Sequence, residues 1–220
     1  HLAVLVGDFF LSNSLILASE TGDIRIVESI ASLGRLLSIG ELDEIYNARY
    51  NHLDEETYFK IIYRKTASLF ISCAEVGAAA AGEKDARRLE ALREFARLLG
   101  LCFQIKDDVF DYFAQGGIGK PTGNDLREGK ITLPLLHVLE THTGEEHGRM
   151  MELARKEMLT SEEIAALIDY AVANGGIEYA NQTMERLRDE ACAILRDNFP
   201  PSETLDAFIS LIDFIIARDH

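Results

Sequence analysis

Hydrophobic residues recur three and four positions apart along almost the whole chain, which is the spacing of α-helices that each turn one face toward a core. The chain has 4 prolines, and all of them fall where a loop or the start of a helix is predicted. No repeat of about 20 to 50 residues, low-complexity tract or long linker indicates a domain boundary. The pattern therefore predicts one all-α domain over residues 1–220, an antiparallel helical bundle around a cleft.

Breaks in this pattern divide the first half of the chain into four predicted helices, at residues 2–20, 24–39, 55–82 and 84–114. Asp23 is suited to cap the second helix, and Gly40 is predicted to end it. The polar residues 41–54 are predicted as a connection between the second and third helices. The fourth pattern is the longest, and we expect the glycines at 116, 117 and 119 to terminate it.

The second half of the chain has four further helical patterns, at residues 131–142, 161–176, 177–198 and 202–219. Ser161 stands at the start of the second of these and is predicted to cap it. Because the fourth helix of the chain ends in a glycine-rich segment, the polar residues of its last turns are expected to lie beside that segment.

Residues 2–20 are apolar enough to suggest a membrane segment, but Asp8 and the run from Ser12 to Ser14 interrupt them. They also lack the basic leader and the cleavage site of a signal peptide. We therefore expect a helix buried in a large helical protein, and no stable membrane insertion. Since the chain starts at His1, without an initiator Met, directly in this helix, we also expect it to begin inside a longer protein.

Charge and cysteine usage exclude some classes of protein. The formal net charge is −15 and no dense run of lysine or arginine exists, so we expect no nucleic-acid binding. Cys73, Cys102 and Cys192 are far apart and each stands in an apolar helical pattern, which favours buried, reduced thiols over a disulfide framework or a zinc site. Reduced thiols indicate a cytoplasmic protein.

The most informative stretch is "GLCFQIKDDVFD", near the end of the fourth predicted helix. Helical geometry brings four of its polar side chains to neighbouring positions, namely Gln104, Asp107, Asp108 and Asp111. In an acidic protein such a group is most often a solvated surface patch. The other interpretation is a cation site, because crowded carboxylates repel each other and Mg²⁺ takes carboxylate, water and phosphate oxygens.

Lysines on both sides of this stretch favour the second interpretation. Lys120, Asp125 and Lys130 follow in the glycine-rich segment, which can bend back over the end of the helix. Lysine beside a carboxylate-bound cation is what a phosphate ligand requires. Upstream, Lys65 and Thr66 stand in "YRKTASLF", where a single lysine is otherwise a snorkelling residue at the edge of the core.

Four stretches together resemble one known family. "AVLVGDFFL", "KTASLF", "GLCFQIKDDVFD" and "GKPTGNDLREGKITLP" match, in that order, motifs of the trans-isoprenyl (polyprenyl) diphosphate synthases. The resemblance covers essentially the whole chain. It implies an all-α fold of the isoprenoid synthase type, a homodimer and Mg²⁺ as cofactor. It also implies the condensation of isopentenyl diphosphate with an allylic diphosphate, through an allylic cation, to a trans-polyprenyl diphosphate.

The resemblance also implies roles for individual residues. Asp107 matches a direct metal ligand, and Asp108 and Asp111 match ligands or residues that hold metal-bound waters. Lys65 and Lys120 match lysines that contact the allylic diphosphate, and Thr66 and Gln104 match residues beside the developing cation. The supporting positions are Asp125, which holds metal-bound waters, and Lys130 and Asp8.

One departure concerns what precedes these motifs. In relatives, a first aspartate-rich motif and the residues that bind isopentenyl diphosphate lie before the match to "AVLVGDFFL". We therefore expect this chain to be the C-terminal two thirds of a member, N-terminally incomplete and inactive alone, with apolar surface exposed where the missing helices would pack.

Two alternatives stay open. A non-catalytic subunit of a heteromeric synthase would share the fold, although it would not need the second motif. A terpene cyclase would require a hydroxyl residue and then a glutamate after Asn124 and Asp125, whereas Leu126, Arg127 and Glu128 follow here and Thr132 takes the glutamate position. That mismatch disfavours cyclisation.

Overall fold

A computed structural model describes residues 2–50, 54–113 and 122–218. It consists of eleven helices and one π-helical turn over these ranges: α1 Leu2–Glu20, α2 Ile24–Tyr50, α3 Glu55–Ile62, the π turn Tyr63–Ala67, α4 Ser68–Ala80, α5 Ala86–Phe110, α6 Asn124–Arg127, α7 Leu133–Thr141, α8 Glu145–Ala154, α9 Ser161–Ala173, α10 Gly176–Asn198 and α11 Glu203–Ala217. No strand occurs in the described ranges, and the all-α prediction is confirmed.

The long helix α5 is the centre of the bundle and packs against α4, α7, α10, α11 and the π turn. Asp85 begins it by accepting hydrogen bonds from the backbone N–H groups of Arg87 and Arg88. Apolar side chains three and four positions apart, such as Leu98, Cys102 and Ile105, are fully buried along it. The helix therefore brings its last turns, with the aspartates, into the middle of the protein.

The prediction that Gly40 ends the second helix is wrong, because α2 continues through it to Tyr50. Asp23 does cap α2, accepting from the backbone N–H of Arg25 at 3.0 Å. Glycine costs about 1 kcal/mol inside a helix relative to alanine, but here it permits close packing. A Cβ on Gly40 would lie 2.9 Å from both the Lys65 nitrogen and the Arg64 Cβ. Residues 41–50, predicted as part of a connection, are helical for the same reason: they lie along the π turn.

The predicted third helix is present, but a π-helical turn interrupts it at Tyr63–Ala67. Such turns shift the following residues around the helix axis and are frequent at functional sites. This one carries Lys65 and Thr66. It lies directly on α5, where a Cβ on Gly100 would be only 2.5 Å from the Ala67 Cα.

The first helix is mostly exposed in this chain, although its apolar pattern is typical of a helix buried in a large helical protein. In α1 only Ala18 is buried, while Leu2, Phe9, Phe10 and Leu17 are exposed. The helix packs along α2, and one face is too little to cover a segment that is apolar on most sides. Among the described residues, α1 is also the one helix long and apolar enough to cross a membrane by length and composition. The expected exposed apolar surface is therefore present here.

Smaller corrections concern one cap, two short helices and one thiol. The cap of α9 is Thr160 and not Ser161, and Thr160 forms a capping box with Glu163. The short helices α6 and α8 lie outside the predicted helices. Cys102 and Cys192 are buried free thiols as expected, whereas the free thiol Cys73 is exposed on α4.

Candidate active site

A cavity of about 100 Å³ lies between α2, α3, the π turn, the end of α5 and the segment around α6. Six of the residues predicted from sequence line it: Lys65, Thr66, Gln104, Asp108, Asp125 and Lys130. Ile61 and Ile62 contribute apolar wall on one side. A larger cavity of about 570 Å³ lies between α2, α4 and α5, but no predicted site residue lines it. The small cavity is therefore the place where the sequence motifs meet.

A chain of hydrogen bonds fixes the floor of this cavity. The Thr66 hydroxyl donates to Gln104 Oε1 at 2.5 Å, and Gln104 Nε2 donates to Asp108 Oδ1 at 2.8 Å. The Tyr58 hydroxyl donates to the other oxygen of Asp108 at 2.7 Å. The hydrogen-bonded residues come from three elements, the π turn, α5 and α3. Asp108 is 5% exposed, so its carboxyl group is held on both sides inside the protein.

Burial raises the pKa of two of the carboxyl groups that face the cavity, those of Asp108 and Asp125. Burial and the charge of Asp125 raise the pKa of Asp108 to about 8. Burial and the charge of Asp111 raise the pKa of Asp125 to about 6. Carboxylates that disfavour ionisation in this way are stabilised in the charged form by a bound cation.

The two lysines of the cavity converge on one carboxylate, which belongs to Glu44 of α2. Glu44 Oε2 lies 2.5 Å from Lys65 Nζ and 3.0 Å from Lys130 Nζ. Lys65 also contacts Glu41 at 3.2 Å, and Lys130 contacts Glu128 at 2.7 Å. Burial alone would lower the pKa of Lys130, but its hydrogen bonds to Glu128 and Glu44 raise it. Lys130 therefore stays charged inside the cavity wall.

Asp107 and Asp111 do not line this cavity. Asp107 pairs with the guanidinium of Arg218, which also donates to the Phe103 carbonyl at 3.1 Å and lies over the Phe103 ring. The Asp107 side chain is 41% exposed. Burial raises the pKa of its carboxyl group, and the nearby Arg218 charge partly offsets that shift.

Asp111 joins the end of α5 to the start of α6. Its two carboxylate oxygens each accept a 3.0 Å hydrogen bond, from the backbone N–H groups of Asn124 and Asp125. The Asp111 carbonyl accepts from the Gly123 nitrogen at 2.9 Å. The segment after the glycines thus lies against the helix end, as the sequence predicted, and this contact brings Asp125 to the cavity.

The four predicted metal residues lie near one another but do not form a complete set of metal ligands by themselves. They are Asp107, Asp108, Asp111 and Asp125. Within the described ranges, no group of three or more His, Cys, Asp or Glu side chains could hold a metal ion. Mg²⁺ does not require such a group, because it is usually bound through one or two carboxylates, waters and substrate phosphates. The donor set therefore fits Mg²⁺, and the individual ligand roles stay predictions.

Two further predicted residues do not belong to the cavity as described. Lys120 falls within residues 114–121, outside the described residues. Asp8 lies on the exposed helix α1 and is not part of the cavity wall. Their roles rest on the family resemblance.

Sequence reasoning missed two residues that shape the site, Tyr58 and Glu44. Tyr58 stands in the helical pattern of residues 55–82, and a buried tyrosine hydroxyl usually has a hydrogen-bond partner. Glu44 falls in the predicted connection of residues 41–54. The signal that would have found it is the run of acidic residues at 41, 43 and 44, which lies opposite the basic pair Arg64 and Lys65.

The structure is a helical bundle in which lysines, a glutamine and carboxylates line one cavity. This arrangement indicates an all-α protein that binds a phosphorylated ligand. Comparison with known proteins gives the family. The polyprenyl synthetase family model matches residues 1–171, and the chain belongs to that family.

Three similar proteins illustrate the relationship. The chain is 32% identical to octaprenyl diphosphate synthase of Escherichia coli over 219 residues, covering 99% of this chain and 67% of the relative. A crystal structure of geranylgeranyl pyrophosphate synthase from Bacteroides thetaiotaomicron matches with a TM-score of 0.90 and 39% identity, over 98% of this chain and 71% of that one.

The third is a polyprenyl synthase from Caulobacter crescentus, whose crystal structure is a complex with calcium and isoprenyl diphosphate. It matches with a TM-score of 0.87 and 32% identity, over 99% of this chain and 66% of its own. The isoprenoid synthase type of fold predicted from the sequence is confirmed by these neighbours. The family is one of prenyltransferases.

Proposed function

We propose that the full-length protein condenses isopentenyl diphosphate with an allylic diphosphate to give a trans-polyprenyl diphosphate. The observation that carries this proposal is the shared cavity of Lys65, Thr66, Gln104, Asp108, Asp125 and Lys130 in a member of the polyprenyl synthetase family. The chain spans 67% of the length of its Escherichia coli relative, so the activity is proposed for the whole protein. We expect the 220-residue chain alone to be inactive.

The proposed reaction begins when the allylic carbon–oxygen bond breaks and diphosphate leaves. Lys65 and Lys120 neutralise the leaving group's charge through charge-assisted hydrogen bonds. Thr66 and Gln104 are already hydrogen-bonded to each other, so their dipoles are fixed beside the carbon where positive charge develops. The isopentenyl double bond then attacks this carbon, and a proton leaves to the released diphosphate.

Mg²⁺ is the proposed cofactor, and Asp107 with Asp108, Asp111 and Asp125 would hold it and its waters. When bound, it would supply positive charge to the diphosphate during departure. The raised pKa values of Asp108 and Asp125 support a cation here. The calcium and isoprenyl diphosphate in the Caulobacter crescentus structure support the same chemistry.

We further propose a cytoplasmic homodimer without stable membrane insertion. The exposed apolar face of α1 supports association with another chain, since contiguous apolar patches of this kind mark interaction sites. The same observation suits the alternative, a non-catalytic subunit of a heteromeric synthase. The hydrogen-bonded Thr66, Gln104 and Asp108 favour the catalytic proposal, because a structural subunit has no need of them.

The test is a condensation assay on the purified full-length protein with labelled isopentenyl diphosphate, an allylic diphosphate and MgCl₂. We expect labelled polyprenyl diphosphate, and no product after addition of EDTA. The 220-residue chain is assayed beside it. Absence of product from a folded full-length homo-oligomer would support the subunit alternative, and product from the 220-residue chain alone would contradict the expectation that it is inactive.

A further inference from the structure

Glu44 contacts both lysines of the cavity but has no role in the chemistry proposed above. Its side chain is 17% exposed, and Oε2 lies 2.5 Å from Lys65 Nζ and 3.0 Å from Lys130 Nζ. The two ammonium groups come from different elements, the π turn and the segment after α6. One carboxylate of α2 thus fixes the positions of both.

The charges around the cavity show why this contact opposes an anionic ligand. Three carboxyl groups, of Glu44, Asp108 and Asp125, and two ammonium groups, of Lys65 and Lys130, line the cavity. A diphosphate requires free ammonium groups, and Glu44 already occupies both of them.

We propose that Glu44 is a positioning residue that holds Lys65 and Lys130 in the substrate-free protein and gives them up to the incoming diphosphate. This inference rests on the proposed function, because it assumes that these lysines bind diphosphate. Glu44 then weakens ground-state binding of substrate and product diphosphate. Weaker binding of the ground state does not slow the chemical step and helps the diphosphate product to leave.

The direction in which diphosphate affinity changes when Glu44 is neutralised distinguishes this role from a structural one. A structural ion pair would, when lost, disorder the lysines and weaken diphosphate binding. If Glu44 competes for the lysines, its neutralisation strengthens binding instead. Coulomb attraction at a partly solvated site is modest, so for Glu44→Gln we expect about fivefold to tenfold tighter binding.

Asp43 offers a matched control on the same helix. It is the neighbour of Glu44 in the sequence and pairs with Arg64, another basic residue of the π turn. It does not line the cavity. Asp43→Asn therefore removes a comparable ion pair between the same two elements without changing the charge of the cavity.

The experiment is calorimetric titration of inorganic diphosphate, with Mg²⁺ present, into the full-length wild type and the variants Glu44→Gln, Asp43→Asn and Lys65→Ala. We expect tighter binding for Glu44→Gln, wild-type binding for Asp43→Asn and weaker binding for Lys65→Ala. Equal or weaker binding by Glu44→Gln overturns the inference about Glu44. If the wild type does not bind, or Lys65→Ala binds equally well, the proposed diphosphate site itself is wrong.

A second variant covers the case in which Glu44→Gln does not fold. Glu44→Asp keeps the charge but withdraws the carboxylate from both ammonium groups by one methylene. We expect diphosphate to bind about twofold or more tightly than to the wild type, because Coulomb attraction falls with distance. Unchanged or weaker binding by a folded Glu44→Asp protein also overturns the inference.

Discussion

On the last two turns of α5, Gln104 and Asp108 line the cavity and form what we call the inner face, whereas Asp107 does not line it and belongs to the outer face. The inner carboxylate is buried, and Tyr58 and Gln104 hold its two oxygens. The outer carboxylate of Asp107 is 41% exposed and pairs with the guanidinium of Arg218, near the end of the chain. Two adjacent aspartates therefore have different environments.

This difference indicates that two aspartates of one acidic motif have different roles. A group whose oxygens are hydrogen-bonded inside the core keeps the site in shape, and changes to it affect stability. A half-exposed carboxylate paired with a single arginine can exchange that partner for a metal ion at little cost. We therefore expect Asp108 to keep the site in shape and Asp107 to bind the metal ion directly.

Asp107→Asn gives the sharpest test of the outer face. Losing one preorganised electrostatic contact costs on the order of 10²–10³-fold in turnover, and we expect a loss of that order in the full-length protein. The partly exposed pair with Arg218 contributes at most about 1 kcal/mol to stability. Condensation rate and melting temperature are measured together. Turnover within a few-fold of wild type would contradict the role of Asp107.

Gly100→Ala tests the packing beneath the inner face. The added Cβ would lie 2.5 Å from the Ala67 Cα, so α5 and the π turn must separate. Overpacking of this kind costs about 3 kcal/mol, and we expect a lower melting temperature together with a lower rate. Gly77→Ala in α4 is the matched control, because nothing lies within 4 Å of its Cβ. Equal stability of the two variants would show that the contact is not tight.

Lys120→Ala tests a residue that the family resemblance assigns to the substrate. We expect weaker binding of the allylic diphosphate by about 2 kcal/mol, from the loss of charge-assisted hydrogen bonds, without a change in melting temperature. The Michaelis constant of the full-length enzyme measures this effect. Lys60→Ala is the control, since Lys60 forms an exposed pair with Glu56. A Michaelis constant and rate like those of the control would contradict the assignment.

Asp108→Asn tests the inner face through pH. The pKa of an unfolded aspartate is about 3.9, and that of Asp108 is raised to about 8. The folded protein therefore holds a proton that the unfolded chain releases, and this stabilisation is lost as the pH rises from about 4 to about 8. An asparagine does not titrate.

In metal-free protein we expect Asp108→Asn to melt at a higher temperature than the wild type at pH 8.5. We also expect its melting temperature to fall less steeply than that of the wild type as the pH rises. A difference of about 1 kcal/mol in the free energy of unfolding shifts the melting temperature by about 2–4 °C in a domain of this size. Thermal melts at pH 5 and pH 8.5 measure the difference. Parallel pH profiles of the two proteins would contradict the raised pKa.

The sequence predicted the elements that depend on local pattern. The helix before the glycines, the cap at Asp23 and the position of the aspartates at a helix end all follow from spacing and capping rules that act over a few residues. The grouping of Lys65, Thr66 and Gln104 came from the family resemblance, and the described fold brings them to one cavity.

What the sequence could not predict depends on contacts between distant segments. Gly40 predicts a helix end from sequence alone, whereas in the structure the π turn packs against it and α2 continues. The acidic residues that follow Gly40 pair with Arg64 and Lys65. The π turn itself has no sequence signature. The apolar pattern of α1 predicts burial, but it cannot say whether the covering surface belongs to the same chain.

The most direct measurement is a crystal structure of the full-length protein with Mg²⁺ and an unreactive allylic diphosphate analogue. We predict a metal ion about 2.0–2.1 Å from the Asp107 carboxylate, with Arg218 displaced and Asp108 still hydrogen-bonded to Tyr58 and Gln104. A diphosphate bound without metal at Asp107, or one bound outside the cavity of Lys65 and Gln104, would contradict the proposed division between the two faces of α5.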